Sequence, residues 1–244
     1  MSSYSGIAPY YDRIFPYDET EKDFLRAVFR STRRRSWLDV GCATGTLLSA
    51  FSAEFDLLFG LDLDDDLLEI ADEKLSSNET ENAELYEADM REIVRLFPGY
   101  SFSAVSCLGN TLPHLSGPDE IAAFFADVRA LLESDGKFVF QVLNYDRILD
   151  HAVRDLPVIE GAGFRFERHY SAPGADGRID FGLELADAEA NIEIRETVPL
   201  YPVRKEVLAG LLSAAGFSAC EFYGDFAGHA WSPESILLLG VCSL

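Results

Sequence analysis

The sequence predicts an α/β fold: an open, mostly parallel sheet with helices on both faces, followed by a small antiparallel sheet. Three observations predict it. Short apolar segments that end in polar or acidic residues recur over residues 38–143. Stretches with helical periodicity separate them, whereas residues 163–200 alternate apolar and polar side chains with a period of two. The length of 244 residues suits one such domain with an elaboration.

The first predicted strand leads into a glycine loop. Residues 38–48 read LDVGCATGTLL, so an apolar run containing Asp39 is followed by two glycines, Gly41 and Gly45, and then by helix-compatible sequence. A strand, a tight turn and a helix N-terminus form the element on which open α/β sheets bind nucleotide-like cofactors. A side chain at either glycine would keep a ligand away from the backbone. The glycine pair alone is weak evidence, because many strand-to-helix turns contain one.

The next strands add polar residues at the same predicted edge. Residues 55–62 end in Asp62, whose carboxylate can accept both hydroxyls of a ribose. Residues 83–90 end in Asp89 and Met90, which suit the edge and the face of an adenine. A fourth strand, residues 102–108, leads into the sequence GNTLPH. Four strands in this order therefore predict one binding site at their C-terminal ends.

The motifs DVGCATG, GLD, EADM and CLGNTLPHL, in this order, closely resemble the class I S-adenosylmethionine-dependent methyltransferases over nearly the whole chain. The resemblance implies a Rossmann-like sheet of seven strands and S-adenosylmethionine as cofactor, with S-adenosylhomocysteine as product. The cofactor-binding residues that it implies are Tyr11, Asp39, Gly41, Cys42, Ala43, Gly45, Asp62, Leu63, Asp89, Met90, Leu108 and Gly109. The loop lacks the GxGxxG spacing and the cations that a dinucleotide would need.

Two stretches resemble glycine N-methyltransferases within that family. They are CLGNTLPHL, residues 107–115, and NYDRIL, residues 144–149. The match implies that Asn110 lies beside the transferred methyl group and that the acceptor is a small molecule methylated on nitrogen. That family has an arginine before Asn-Tyr-Asp that pairs with the amino acid's carboxylate, whereas this chain has Leu143. We therefore expect an acceptor other than glycine, with Arg168 and Arg204 as candidate replacements for the arginine.

The predicted chemistry is an in-line methyl transfer, in which positioning and desolvation supply much of the catalysis. The predicted catalytic residues are Asn110, His114 and Tyr11, and the predicted substrate contacts are Asn110, Asn144, Tyr145, Arg168 and Tyr201. His114 is equally compatible with a general base and with a structural hydrogen-bond partner. N-methylation is the favoured function. O-methylation with His114 as base and a non-catalytic cofactor-binding module are the alternatives.

Four regions are predicted along the chain. Residues 1–35 are a helical lead-in with Asp18 or Thr20 as cap, and residues 36–150 are the cofactor-binding core. Residues 151–200 are an inserted antiparallel β cap on the substrate side, and residues 201–244 are a helix and two closing strands. Helices are expected over residues 119–132 and 203–215, with the fifth strand over residues 137–143.

The chain is strongly acidic, with 42 acidic and 20 basic residues and a net charge of −22. This charge makes nucleic acid and anionic membranes poor partners. A strongly solvated surface and adaptation to high salt both explain it. The N-terminus lacks the pattern of a signal peptide, and no apolar run is long enough to span a bilayer, so we expect a cytoplasmic protein. A monomer and a homodimer are both compatible with the sequence.

The cysteines and the clustered acids favour no metal site. Cys42, Cys107, Cys220 and Cys242 contain no CxxC pair, and we expect free thiols. The run at residues 64–66 is three aspartates and fits the first turn of a helix better than a cation site.

Overall fold

The computed structural model describes residues 4–161 and 163–244, which contain two sheets. The strands are β1 (Ser36–Val40), β2 (Leu57–Asp62), β3 (Ala83–Glu87), β4 (Phe102–Cys107), β5 (Leu132–Leu143), β6 (Ile159–Gly161), β7 (Phe164–Tyr170), β8 (Ile179–Asp187), β9 (Ile192–Leu200), β10 (Ala219–Tyr223) and β11 (Leu237–Ser243). The α-helices are α1 (Tyr11–Ile14), α2 (Glu19–Phe29), α3 (Thr46–Ala50), α4 (Asp65–Ser77), α5 (Ile93–Leu96), α6 (Pro118–Leu131), α7 (Tyr145–Asp150) and α8 (Lys205–Ala215).

The central sheet has seven strands in the order β10-β11-β5-β4-β1-β2-β3. All neighbours pair in parallel except β11, which is antiparallel to both β5 and β10. The chain runs outward from β1 in both directions, so the strand order reverses between β1 and β4. A crevice forms at the C-terminal ends of the strands where such a reversal occurs. The predicted fold class, including the two closing strands, is confirmed.

Helices cover both faces of this sheet, because successive strand residues point to opposite sides. Leu38 and Val40 of β1 belong to the core cluster that contains α6 and α8, whereas Trp37 packs in the cluster that contains α2, α3 and α4. Every residue of β1 and β4 is buried. Strands buried on both faces are typical of parallel α/β sheets.

The second sheet is antiparallel, with the order β6-β7-β8-β9, and it follows β5 and α7 as predicted. Alternate residues of β8, from Ile179 to Asp187, are buried, and those of them that are apolar join the core cluster of the main sheet. The period of two therefore identified this sheet correctly. Strand β6 was not predicted, since three residues are too few to show an alternation. The boundaries of the four regions remain a prediction.

Local capping follows the sequence at two helices. The Asp18 side chain accepts a hydrogen bond from the Thr20 amide at 2.8 Å and caps α2, and Asp64 caps α4 by accepting from the Leu67 amide at 3.2 Å. The acidic run at residues 64–66 therefore begins a helix, as expected, because carboxylates satisfy the free amides there and complement the helix dipole.

Two expectations about the chain are wrong. Strand β5 begins at Leu132 instead of residue 137, because Leu132 pairs with Phe102 across an irregularity in the β4–β5 register. The free-thiol prediction fails for Cys220 and Cys242, which form a disulfide bond. They lie directly opposite each other on β10 and β11, a juxtaposition that residues 22 apart in the chain do not reveal. Cys42 and Cys107 are free and buried.

Among the described residues, none of the helices has both the length and the apolar character needed to cross a membrane.

Candidate functional site

A cavity of about 660 Å³ opens where β1, β2 and β4 end. This volume lies within the roughly 300–1,000 Å³ of typical small-molecule sites. Three parts of the chain line it: the loops after the main-sheet strands, the N-terminal segment, and strands of the second sheet. The cavity therefore joins the predicted cofactor edge to the predicted cap.

The first loop brings backbone to the cavity wall. Gly41 has φ of +78° and its amide donates to the Leu61 carbonyl at 2.7 Å, which fixes the turn to the end of β2. A Cβ on Gly41 would overlap the side chain of Thr111. Gly45, with φ of +66°, precedes α3, and a Cβ there would lie 3.1 Å from the Cβ of Ala71. Glycine is therefore required at Gly41 by both the backbone conformation and the close approach.

Asp62 holds this loop at the end of β2. One carboxylate oxygen accepts from the Ala43 amide at 2.8 Å and the other accepts from the Asp64 amide at 3.0 Å. Burial raises the pKa of Asp62, and these backbone hydrogen bonds oppose that rise. Because each carboxylate oxygen has two lone pairs, Asp62 keeps capacity to accept hydroxyl donors from the cavity.

Asp89 is held by an ion pair. It accepts from the Arg91 amide at 2.9 Å and lies 2.6 Å from the Arg91 guanidinium, whose hydrogen bond lowers the pKa of Asp89. Met90 and Ala88 line the same wall and add apolar surface. Arg91 was not predicted as a site residue, although it follows the predicted pair directly.

The N-terminal segment closes one side of the cavity. Tyr4, Tyr11 and Phe15 line it. Asp12, beside Tyr11, forms an ion pair with Lys74 of α4 at 2.7 Å and accepts a hydrogen bond from the Thr44 hydroxyl of the glycine loop. This network fixes the segment against the loop and α4. Tyr10 points away, since its hydroxyl donates to Asp187 at 3.0 Å.

Eight of the twelve predicted cofactor-binding residues line the cavity and four do not. The eight are Tyr11, Gly41, Ala43, Asp62, Leu63, Asp89, Met90 and Gly109. The four outside its lining are Asp39, Cys42, Gly45 and Leu108. Asp39 is buried and accepts from the Ser106 hydroxyl at 2.5 Å, and burial raises its pKa to about 7. The role of each of the twelve remains a prediction.

Asn110 occupies the loop after β4 with φ of +65°, a conformation that asparagine tolerates better than most residues. Its Oδ1 accepts from the Leu143 amide at 3.0 Å, and its Nδ2 lies 3.0 Å from the Tyr145 hydroxyl. Burial raises the pKa of Tyr145, so the phenol is neutral. The end of β5 and the start of α7 thus fix Asn110 against the cavity.

His114 also lines the cavity, with its Nε2 3.3 Å from the Tyr4 hydroxyl. Burial and then the positive charge of Arg178 lower the pKa of His114 to about 4. Burial raises the pKa of Tyr4. Both groups are therefore neutral near pH 7. Tyr4 and Arg178 were not predicted as site residues. The contact of Tyr4 with His114 joins residues 110 positions apart, which no local pattern reveals.

Some of the predicted substrate contacts lie at the cavity and others lie outside it. Asn110 and Arg168 line the cavity, and Tyr145 reaches it through Asn110. Asn144 is fully buried outside it, where its Nδ2 donates to three backbone carbonyls, those of Ser232, Pro233 and Ser235. Tyr201 also lies outside the lining.

Arg204, one of the two candidate replacements for an arginine at position 143, does not line the cavity. It pairs with Asp146 at 3.0 Å and with Asp150 at 2.6 Å. Arg168 is therefore the one of the two candidate arginines that lies at the cavity.

Comparisons with known proteins agree with this geometry. A family model described as a methyltransferase domain matches residues 38–136. A dTDP-3-amino-3,6-dideoxy-alpha-D-glucopyranose N,N-dimethyltransferase of Streptomyces fradiae is 29% identical over 205 residues, which cover 80% of this chain and 77% of that protein. The glycine/sarcosine/dimethylglycine N-methyltransferase of Actinopolyspora halophila is 30% identical over 144 residues, covering 57% of this chain and 23% of that protein.

A solved structure shares the fold over the whole chain. The S-adenosylmethionine-dependent methyltransferase of Clostridium acetobutylicum superimposes with a TM-score of 0.82 at 17% identity, and the match covers 100% of this chain and 99% of that one. The seven-stranded sheet and the added antiparallel sheet are therefore an arrangement that this solved protein shares.

Proposed function

The chain belongs to the class I S-adenosylmethionine-dependent methyltransferases, and from this premise we propose that it transfers a methyl group to a nitrogen atom of a small metabolite. One observation carries the choice of nitrogen. His114, the predicted general base, lines the same cavity as Asn110, and its pKa is lowered to about 4. Such a weak base suits an acceptor that supplies its own lone pair, and it does not suit removal of a proton from an alcohol.

The end of the cavity at the glycine loop fits S-adenosylmethionine. Gly41 leaves its backbone open, Asp62 keeps carboxylate lone pairs for the ribose, and Ala88 and Met90 provide an apolar wall for the adenine. The cofactor supplies a sulfonium methyl group, an electrophile that needs no metal. We propose that Tyr11, which lines this part of the cavity, excludes water from it.

Asn110 and His114 have positioning roles in this proposal. When Tyr145 accepts from the Asn110 Nδ2, the Asn110 Oδ1 keeps one lone pair to accept an N–H of the acceptor amine. A half-buried cavity disfavours an ammonium ion, so an amine enters it more readily with its lone pair free. Neutral His114 can accept a further hydrogen bond, and Tyr4 orients it.

The names of the relatives support nitrogen as the acceptor atom, but they describe two different kinds of acceptor molecule. The named relatives act on an amino sugar nucleotide and on glycine derivatives. We propose that residues 151–200 select the acceptor, since their strands contribute the cavity wall farthest in sequence from the glycine loop. We further propose that the protein acts in the cytoplasm as a monomer or homodimer, without nucleic-acid or membrane partners.

The test is transfer of an isotope-labelled methyl group from S-adenosylmethionine to glycine, sarcosine, an amino sugar nucleotide and a low-molecular-weight metabolite extract. We expect label in an amine product identified by mass spectrometry. Label on a hydroxyl oxygen would overturn N-methylation. Cofactor binding by calorimetry without any transfer would instead indicate a non-catalytic binding module.

A further inference from the structure

Two arginines of the second sheet face the cavity in a similar way. Arg168 lies on β7 and Arg178 directly precedes β8, and both line the cavity. In each, one terminal nitrogen is held by a backbone carbonyl: Arg168 donates to Pro157 at 2.9 Å and Arg178 donates to Pro199 at 3.1 Å. These hydrogen bonds fix both guanidinium groups before any ligand arrives, so less side-chain entropy is lost on binding.

Both guanidinium groups lack a negative partner. Over residues 4–161 and 163–244, neither lies within 4.0 Å of a carboxylate, although the chain has 42 acidic residues. The Nε atoms of both are buried without a hydrogen-bond acceptor. In contrast, Arg91 at the cofactor end of the same cavity pairs with both Asp89 and Glu120. Two fixed positive charges with unmet donors are thus presented to one cavity.

The surroundings of the two arginines indicate the rest of the ligand. Leu143, Leu156, Phe181 and Val198 line the cavity and form an apolar wall. Arg178 is close enough to His114 for its charge to lower the pKa of that histidine. The positive end of the cavity is therefore adjacent to the side chains, Asn110 and His114, that we assign to the reaction centre.

We propose that Arg168 and Arg178 bind an anionic group of the methyl acceptor, a carboxylate or a phosphoryl group, while the reacting nitrogen lies at Asn110. This inference rests on the proposed function for the identity of the acceptor but not for the presence of an anion site. The planar donors of arginine match both anions in bidentate geometry. Leu143 at the end of β5 presents only an apolar side chain to the cavity, so in this proposal the second sheet and not the end of β5 recognises the anion.

The experiment measures ligand binding to the protein saturated with S-adenosylhomocysteine. Two pairs of probes separate the two possible anions: sarcosine against sarcosine amide, and thymidine diphosphate against thymidine. Each pair is titrated by calorimetry into the wild type, Arg168→Gln, Arg178→Gln and the double variant. Arg195→Gln is the matched control, because Arg195 belongs to the same sheet, is 74% exposed and lies outside the cavity.

We expect the member of one pair that carries the anionic group to bind at least tenfold more tightly than the member without it. Each single substitution should weaken it by about tenfold to a hundredfold, as expected for loss of a charged hydrogen bond. Arg195→Gln should leave it unchanged. Preference for sarcosine would identify a carboxylate, and preference for thymidine diphosphate a phosphoryl group.

Equal binding of the probes with and without the anionic group, absence of binding by both pairs, or full affinity in the double variant would overturn the anion site. Circular dichroism and retained S-adenosylhomocysteine affinity show that the variants fold. Failure of the proposed function is distinguishable: an anion site with no methyl transfer would leave this inference standing, whereas transfer to a neutral amine that is insensitive to both substitutions would remove it.

Discussion

The two ends of the cavity are built differently. The glycine-loop end consists of backbone turns and carboxylates, Gly41, Asp62 and Asp89, which lie within 49 residues at the ends of consecutive parallel strands. The opposite end combines Tyr4 from the N-terminus, His114 from the middle and two arginines from the second sheet. The first end depends on backbone geometry and tolerates little change. The second depends on separate side chains from distant parts of the chain.

The largest effect is expected at Gly41. Changing Gly41 to valine places a branched side chain at φ of +78° and against Thr111, so we expect about 3 kcal/mol lower stability and loss of measurable cofactor binding. Urea unfolding and calorimetry with S-adenosylhomocysteine measure both effects. Gly210→Ala in α8 is the control, because a Cβ there meets nothing within 4 Å. Normal cofactor affinity in Gly41→Val would show that the loop does not approach the ligand.

Asn110 tests the boundary between the two ends. Asn110→Gly retains the φ of +65° without strain, and we expect a loss of about 100-fold in kcat from lost positioning, with cofactor affinity within threefold of wild type. Single-turnover transfer and calorimetry separate these quantities. Asn78→Ala, on the surface after α4, should leave both unchanged. An unaffected rate would remove Asn110 from the mechanism.

Asp62 tests the assignment of the first end to the cofactor. Asp62→Ala should weaken S-adenosylmethionine binding by about 1.5–3 kcal/mol, as expected for a charged hydrogen-bonded partner. Part of the loss will come from release of the Ala43 amide that Asp62 holds. Asp72→Ala, which lies exposed on α4, is the comparison variant. Equal affinities of these two variants would contradict the assignment.

His114 gives the smallest effect, in the pH dependence. Its pKa is lowered to about 4, so proton NMR should show one histidine titrating near pH 4, and this signal should disappear in His114→Gln. Since the unfolded histidine binds a proton at a higher pH, near 6.5, the folded state should lose stability as pH falls from 6.5 through 4. The stability difference between wild type and His114→Gln should therefore change only in this window. A His114 signal titrating near pH 6.5 would contradict its buried, neutral state.

The glycine-loop end of the cavity could be predicted because the sequence patterns that specify it are local. A strand, a glycine turn and a carboxylate at the next strand end recur at fixed spacing, and parallel strands bring their C-terminal ends to one edge. Gly41, Asp62, Asp89 and Met90 were all found in this way, and all line the cavity. The alternation in residues 163–200 similarly identified the second sheet, since only one face of it is buried.

The succession of strands along the core, the glycine loop and the added antiparallel sheet could be predicted from the residues alone, because periodicity and turn residues act over a few positions. The contacts between side chains of distant segments became known only from the folded structure. It brought Tyr4 to His114, paired Cys220 with Cys242, and directed Arg168 into the cavity while pairing Arg204 with two aspartates. The physical reason is that these contacts join separate segments, and packing of the second sheet against the first fixes their geometry.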